Sequence, residues 1–65
     1  MRAGKRVTTS LGELIVLDVQ EEYLVLLNEE DGKFIKANTY YYSGNKVVWN
    51  EGEYYSRLND LIESV

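Results

Sequence analysis

A chain of 65 residues with seven bases, eleven acids, no histidine, no cysteine and a net charge of −4 is one small domain with a thin core. Lacking Cys and His, it has neither a disulfide framework nor a structural zinc site, so dense packing or self-association must supply what staples supply in other small chains. The acidic balance argues against broad binding to duplex phosphates. No apolar run approaches the ~20 residues of a membrane span, and no apolar segment follows the basic start Met1-Arg2-Ala3-Gly4-Lys5-Arg6 as a secretory signal requires.

Hydrophobicity alternates with period two through most of the chain, which predicts strands. Residues 1–5 read as a solvated, disorder-prone end. Arg6 to Thr9 is a short strand and Ser10-Leu11-Gly12 a turn. In Glu13 to Val19, Ile15, Leu17 and Val19 point one way and Leu14 and Val16 the other, so this strand is covered on both faces. Gln20-Glu21-Glu22 is a polar link to a second doubly apolar strand, Tyr23 to Leu27. Asn28 to Gly32 forms a hairpin loop in which Gly32 is free to take positive φ. Lys33 to Tyr41 alternates: Ile35, Ala37, Thr39 and Tyr41 on one face, Phe34, Lys36, Asn38 and Tyr40 on the other. Tyr42-Ser43-Gly44-Asn45 turns the chain, Lys46 to Trp49 is a fifth strand, Asn50-Glu51-Gly52-Glu53 turns it again, and Tyr54-Tyr55 is extended.

The period then changes. Leu58, Leu61, Ile62 and Val65 lie at i, i+3, i+4 and i+7, one apolar stripe of a helix with Ser56 as its expected N-cap and Asp60 in its first turns. So short a helix must pack on the sheet. The predicted class is mainly β (α+β): a single domain over residues 1–65, with five strands in a curved antiparallel sheet, SH3-like or a half-barrel, and one C-terminal helix plugging its open side.

Charge is distributed unevenly. Glu13, Asp18, Glu21, Glu22, Glu29, Glu30 and Asp31 lie in a stretch without Lys or Arg, while the rest of the chain holds all seven bases and four acids. Brought together on neighbouring strand ends, the seven would form an acidic ridge able to steer toward a basic groove or occupy a nucleic-acid channel. The alternative is solvation, since loop tips are usually charged.

Catalysis is not expected. The commonest base and the best nucleophile are missing, and the glycines are scattered singly at turns rather than in a phosphate-binding loop. Glu51 and Glu53 flank Gly52 but read as a solvated turn rather than a tuned carboxylate pair. Asn28 to Asp31 offers oxygen ligands without the alternating spacing of an EF-hand. Neither a metal nor a cofactor is expected.

Aromatic residues crowd one span: Tyr40-Tyr41-Tyr42, Trp49 and Tyr54-Tyr55. Three consecutive strand tyrosines cannot all face a core, so at least one is exposed, and Tyr and Trp favour protein interfaces. The rings could instead wrap the helix and close the core. Stacking on unpaired bases with help from Lys33, Lys36 and Lys46 is a third option, which the net charge opposes.

The segments Phe34-Ile35-Lys36-Ala37-Asn38, Trp49-Asn50-Glu51-Gly52-Glu53-Tyr54-Tyr55, Leu58 and Leu61-Ile62 resemble small uncharacterised proteins of bacteriophages and other mobile elements. Those carry a strand, a turn, a Trp-x-x-Gly-x-Tyr-aromatic signature and a short helix. Trp49, Gly52, Tyr54 and Tyr55 hold the pattern, whereas Glu51 and Glu53 stand where that family often has a polar amide or His beside the glycine. The resemblance covers about half the chain. It implies no activity, but it implies a setting in which tiny acidic proteins block host machinery, anti-CRISPR and other anti-defence inhibitors among them.

The expectation is therefore a non-enzymatic protein of the bacterial host cytoplasm. It would bind a host protein with a basic, nucleic-acid-processing surface through Glu13, Asp18, Glu21, Glu22, Glu29, Glu30 and Asp31, with Tyr40, Tyr42 and Tyr54 as anchors. Its rival is a structural module that forms homodimers or larger assemblies through its aromatic face.

Overall fold

Five strands and one helix follow in the expected order in the computed structural model, which describes residues 2–65. They are β1 (Arg6–Thr9), β2 (Gly12–Val19), β3 (Tyr23–Asn28), β4 (Lys33–Ser43), β5 (Lys46–Tyr55) and α1 (Leu58–Ser64). Each consecutive pair of strands is antiparallel, and the ring closes where Thr8 of β1 pairs in parallel with Lys46 of β5. The fold is mainly β, a small SH3-like barrel with a C-terminal helix. The expectation of a loose N-terminal end reaches back to Met1, which lies outside the described residues. From Gly4 onward the backbone is tied to β2, with the Gly4 N–H donating to the Val16 carbonyl and the Val16 N–H to the Lys5 carbonyl.

Val7, Leu14, Val16, Leu24, Leu26, Ile35, Ala37 and Val47 fill the barrel, and Tyr40 and Trp49 pack against them. Short turns make the ring possible. Thr9, buried where β1 becomes β2, donates its hydroxyl to the Gly12 carbonyl at 2.8 Å and accepts the Leu11 N–H at 3.0 Å, so its polar group is satisfied. Gly32 closes the β3–β4 loop with φ of 71° and donates its N–H to the Asn28 carbonyl.

Three details depart from simple alternation. In β2 the register with β3 shifts between Val16 and Asp18, leaving Leu17 as a bulge. Val19 then opposes Leu24 across the sheet, instead of sharing a face with Ile15 and Leu17, and at the strand's end it stays exposed. In β4, Thr39 takes φ of 53°, a left-handed conformation rare for a β-branched residue. This reverses the expected faces of the tyrosines: Tyr40 and Trp49, cross-strand partners, turn to the core, while Tyr41 and its partner Val48 turn outward. Finally, Asn50-Glu51-Gly52-Glu53 is not a turn. It is the middle of a ten-residue β5 whose register with β4 runs from Ser43↔Lys46 to Phe34↔Tyr55. Gly52 serves close approach rather than turning, because a Cβ there would lie 2.8 Å from Trp49 Nε1 and 3.0 Å from the Tyr54 hydroxyl.

The helix does not plug the barrel, which β1 and β5 already close. Leu61, 2% exposed, meets the outer wall, where Leu17, Tyr23 and Val25 line a groove with Leu58, Leu61, Ile62 and Val65. Val25 and Leu24 point to opposite sides of β3, and both are buried. This accounts for the doubly apolar strands: one face fills the barrel and the other receives α1. Ser56 does not cap the helix. Arg57 takes the N-cap position in an extended conformation with no side-chain cap bond, while Asp60 does lie in the first turn.

Replacing Thr39 with Gly removes left-handed strain of ~1–2 kcal/mol, offset by a more flexible unfolded chain. The expected result is a stability equal to or up to about 1 kcal/mol above wild type. Gly52→Ala should cost about 1–3 kcal/mol through overpacking against Trp49 and Tyr54. Urea midpoints of the two variants check both expectations.

Candidate functional site: an acid-tipped barrel end

The seven acids do not form one row. β3 separates them by its six residues, a rise of about 20 Å. Glu13, Glu29, Glu30 and Asp31 lie toward one end of the barrel, and Asp18, Glu21 and Glu22 toward the other.

The first group is largely absorbed by the fold. Arg6 Nη1 donates to Glu29 Oε1 at 2.7 Å and lies 3.9 Å from Glu13 Oε1. The bond to Glu29, its charge and that of Glu13 raise the guanidinium's already high pKa. Asp31 Oδ1 accepts the Lys33 N–H and Asn28 Oδ1 accepts the Glu30 N–H, both closing the loop. Asn28, Glu30 and Asp31 thus act as turn residues. Among the described residues, no group of three or more acids is placed to hold a metal ion.

The second group is held differently. Asp18 folds back on its own turn, accepting the Val19 N–H and the Gln20 Nε2–H, each at 3.0 Å. Glu21 and Glu22 occupy the tip, exposed and with no ion pair among the described residues. Their turn is nonetheless fixed. The Thr39 N–H donates to the Glu22 carbonyl at 2.8 Å, the Tyr40 hydroxyl to the Gln20 carbonyl at 2.9 Å, and the Gln20 N–H to the Tyr23 carbonyl. Glu21, Glu22, Asn38, Thr39 and Tyr40 line a shallow concavity of about 400 Å³.

Of the expected anchors, Tyr40 is half-buried and hydrogen-bonded, and it stands beside Glu21 and Glu22. Tyr42 lies further along β4, exposed, opposite Val47. Tyr54 is 55% exposed on the other half of β5, opposite Ile35, and does not share the concavity. The most exposed ring, Tyr41 at 65%, is not among the expected anchors; simple alternation groups it with Ile35 and Ala37, both of which are buried. Glu51 was also missed as a surface acid of the sheet. It lies opposite Asn38, itself opposite Tyr23, so it sits two strands away from the β2–β3 turn.

Glu53 has a structural place. Its carboxylate accepts Asn38 Nδ2–H at 2.9 Å and the Tyr55 hydroxyl at 3.0 Å, and Lys36 Nζ lies 3.7 Å away, 4.9 Å from the centre of the Tyr23 ring. The bonds from Asn38 and Tyr55, with Lys36 nearby, lower its pKa and keep it ionised.

Among the described residues, no helix is long and apolar enough to cross a membrane. No known protein family, curated protein or solved structure gives a significant match to the chain.

Because the folded-state pKa of Glu53 lies below its unfolded value, its contribution to stability is present above the ordinary carboxyl pKa of 4.5 and is lost as pH falls through the folded value. Glu53→Gln should therefore flatten the part of the acid destabilisation curve that this carboxylate contributes. Parallel urea titrations at successive pH values check it, and an unchanged curve would count against the Asn38–Glu53–Tyr55 cluster.

Proposed function

We propose that this protein is a non-enzymatic binding module that docks on the basic surface of another protein. The observation that carries the reading is the β2–β3 turn. Two carboxylates, Glu21 and Glu22, stand on a backbone pinned by Thr39 and Tyr40, with no ion pair to a cation among the described residues. Preorganised charge loses little freedom on binding, and an acidic tip speeds encounter with a basic partner at low salt. Asp18 adds charge nearby. Glu13 and Glu29 contribute less, since Arg6 already engages them.

In the mobile-element setting that the sequence resemblance implies, the partner is a host nucleic-acid-processing protein. The module would inhibit it in the host cytoplasm by covering a channel meant for phosphates, as anti-CRISPR and other anti-defence proteins do. Direct nucleic-acid binding is not part of the reading, given the net charge of −4.

A second reading is self-assembly through the outward side of the β4–β5 hairpin, supported by the exposed cross-strand neighbours Tyr41 and Val48. Tyr41→Ala would then lower the mass in solution, and charge reversal would leave it unchanged.

Low-salt pull-downs from a bacterial lysate separate the two readings. The wild type and a Glu29→Lys/Glu30→Lys variant should both capture the same basic nucleic-acid-binding protein, whose own nucleic-acid binding then falls. Glu21→Lys/Glu22→Lys should lose it. Equal capture by that variant would overturn the proposal.

A further inference from the structure

The barrel closes over only a short stretch. β1 has four residues and β5 has ten, and they meet at one pair, Thr8 with Lys46, supported by the Thr8 N–H donating to the Asn45 carbonyl. Beyond it β1 turns back through Ser10 and Leu11 into β2. From Val48 to Tyr55, therefore, β5 is paired with β4 on one side and, among the described residues, with no strand on the other. Alternate N–H and C=O groups along that side form a free sheet edge inside a nominally closed fold.

Such edges are usually blunted by Lys, Pro or a bulge. Here the chain has no Pro, and the edge itself carries only acids, Glu51 and Glu53. Glu53 is already engaged by Asn38, Tyr55 and Lys36, whereas Glu51 makes no ion pair among the described residues. Where β1 departs from β5, Thr8, Ser10, Lys46, Val47, Trp49 and Tyr54 are among the residues bordering a slot of about 460 Å³, with the one cation, Lys46, at the closing pair rather than on the open edge. The Trp49 indole N–H and the Tyr54 hydroxyl converge over Gly52, whose missing side chain leaves them room. Neither has a hydrogen-bond partner within the chain among the described residues, so two polar heads and an aromatic wall stand beside the open edge.

We propose that the β5 edge from Val48 to Tyr55 receives an extended segment of a partner protein as an added strand. The segment is one in which cationic residues alternate with apolar ones. Main-chain pairing would supply affinity, while alternate side chains divide between the two faces: apolar ones into the Trp49–Tyr54 slot, Lys or Arg over Glu51. A second copy of this chain is a poorer occupant. Antiparallel self-pairing of this edge brings acids near acids, and like charges opposite one another destabilise a strand pair. The surface is distinct from the Glu21–Glu22 tip and does not depend on that tip being a binding site.

The probe is a capped peptide of alternating lysine and valine, long enough to run beside Val48–Tyr55, added to the full chain and followed by amide NMR and hydrogen exchange. Binding should protect alternate amides between Val48 and Tyr55. Of the two alternating N-methylation patterns of the peptide, one removes the N–H groups that face the edge and should weaken binding about ten-fold or more; the other should leave it unchanged. Glu51→Lys should weaken it as well, and Glu21→Lys/Glu22→Lys should not. The proposal is overturned by any of three results: no protection on β5, both methylation patterns behaving alike, or the protein occupying this edge with a second copy of itself.

Discussion

The conformation of Thr39 is the constraint on which the rest of the molecule depends. A strand of eleven residues is too long to keep one face toward the axis of so small a barrel without bending. The left-handed residue takes up that bend and resets the alternation of β4. Ile35 and Ala37 face inward before it, and Tyr40 faces inward after it. β5 follows in register, so Val47 and Trp49 point inward on one side of the bend and Gly52 lies opposite Ala37 on the other. The same residue donates its N–H to Glu22, which ties the β2–β3 turn to the bend. Barrel closure and the placement of Glu21 and Glu22 thus share one cause.

Around that bend the fold separates its charges by use. Arg6 holds Glu13 and Glu29, Asp31 and Asn28 close a loop, and Lys36, Asn38 and Tyr55 gather on Glu53. Exposed pairs of this kind contribute little stability singly, but each leaves a carboxylate already engaged. Glu21, Glu22 and Glu51, like Glu30, Asp60 and Glu63, make no ion pair among the described residues. The shallow concavity and the outward aromatic residues suit surface docking better than enclosure of a small molecule.

Local pattern made most of the architecture legible. Turn residues at Ser10-Leu11-Gly12 and Asn28–Gly32 bounded β1 to β4 closely, and the Leu58, Leu61, Ile62, Val65 stripe found the helix. What it could not convey was anything set by register. Asn50-Glu51-Gly52-Glu53 has the composition of a turn, yet the glycine answers to Trp49 and Tyr54 crossing above it. Thr39 carries no local mark of a left-handed conformation, so Tyr40 and Tyr41 were assigned to each other's faces. The acidic stretch is contiguous in sequence but contains a full strand, and a strand delivers its two ends to opposite ends of a barrel. Arg6, distant in sequence from Glu29, reaches it because β1, β2 and β3 align Ile15 with both Arg6 and Leu27.

The most direct measurement is a set of nuclear Overhauser contacts from the rings of Tyr40 and Tyr41, recorded with the exchange rate of the Thr39 amide. A reversal of β4 at Thr39 predicts contacts between the Tyr40 ring and core side chains, none from the Tyr41 ring to the core, and slow exchange of the Thr39 amide bonded to Glu22. A Tyr41 ring in contact with Ala37 and Val47, with Tyr40 in solvent and a fast-exchanging Thr39 amide, would contradict the account, because neither the barrel's closure nor the pinned acidic turn would then have its stated cause.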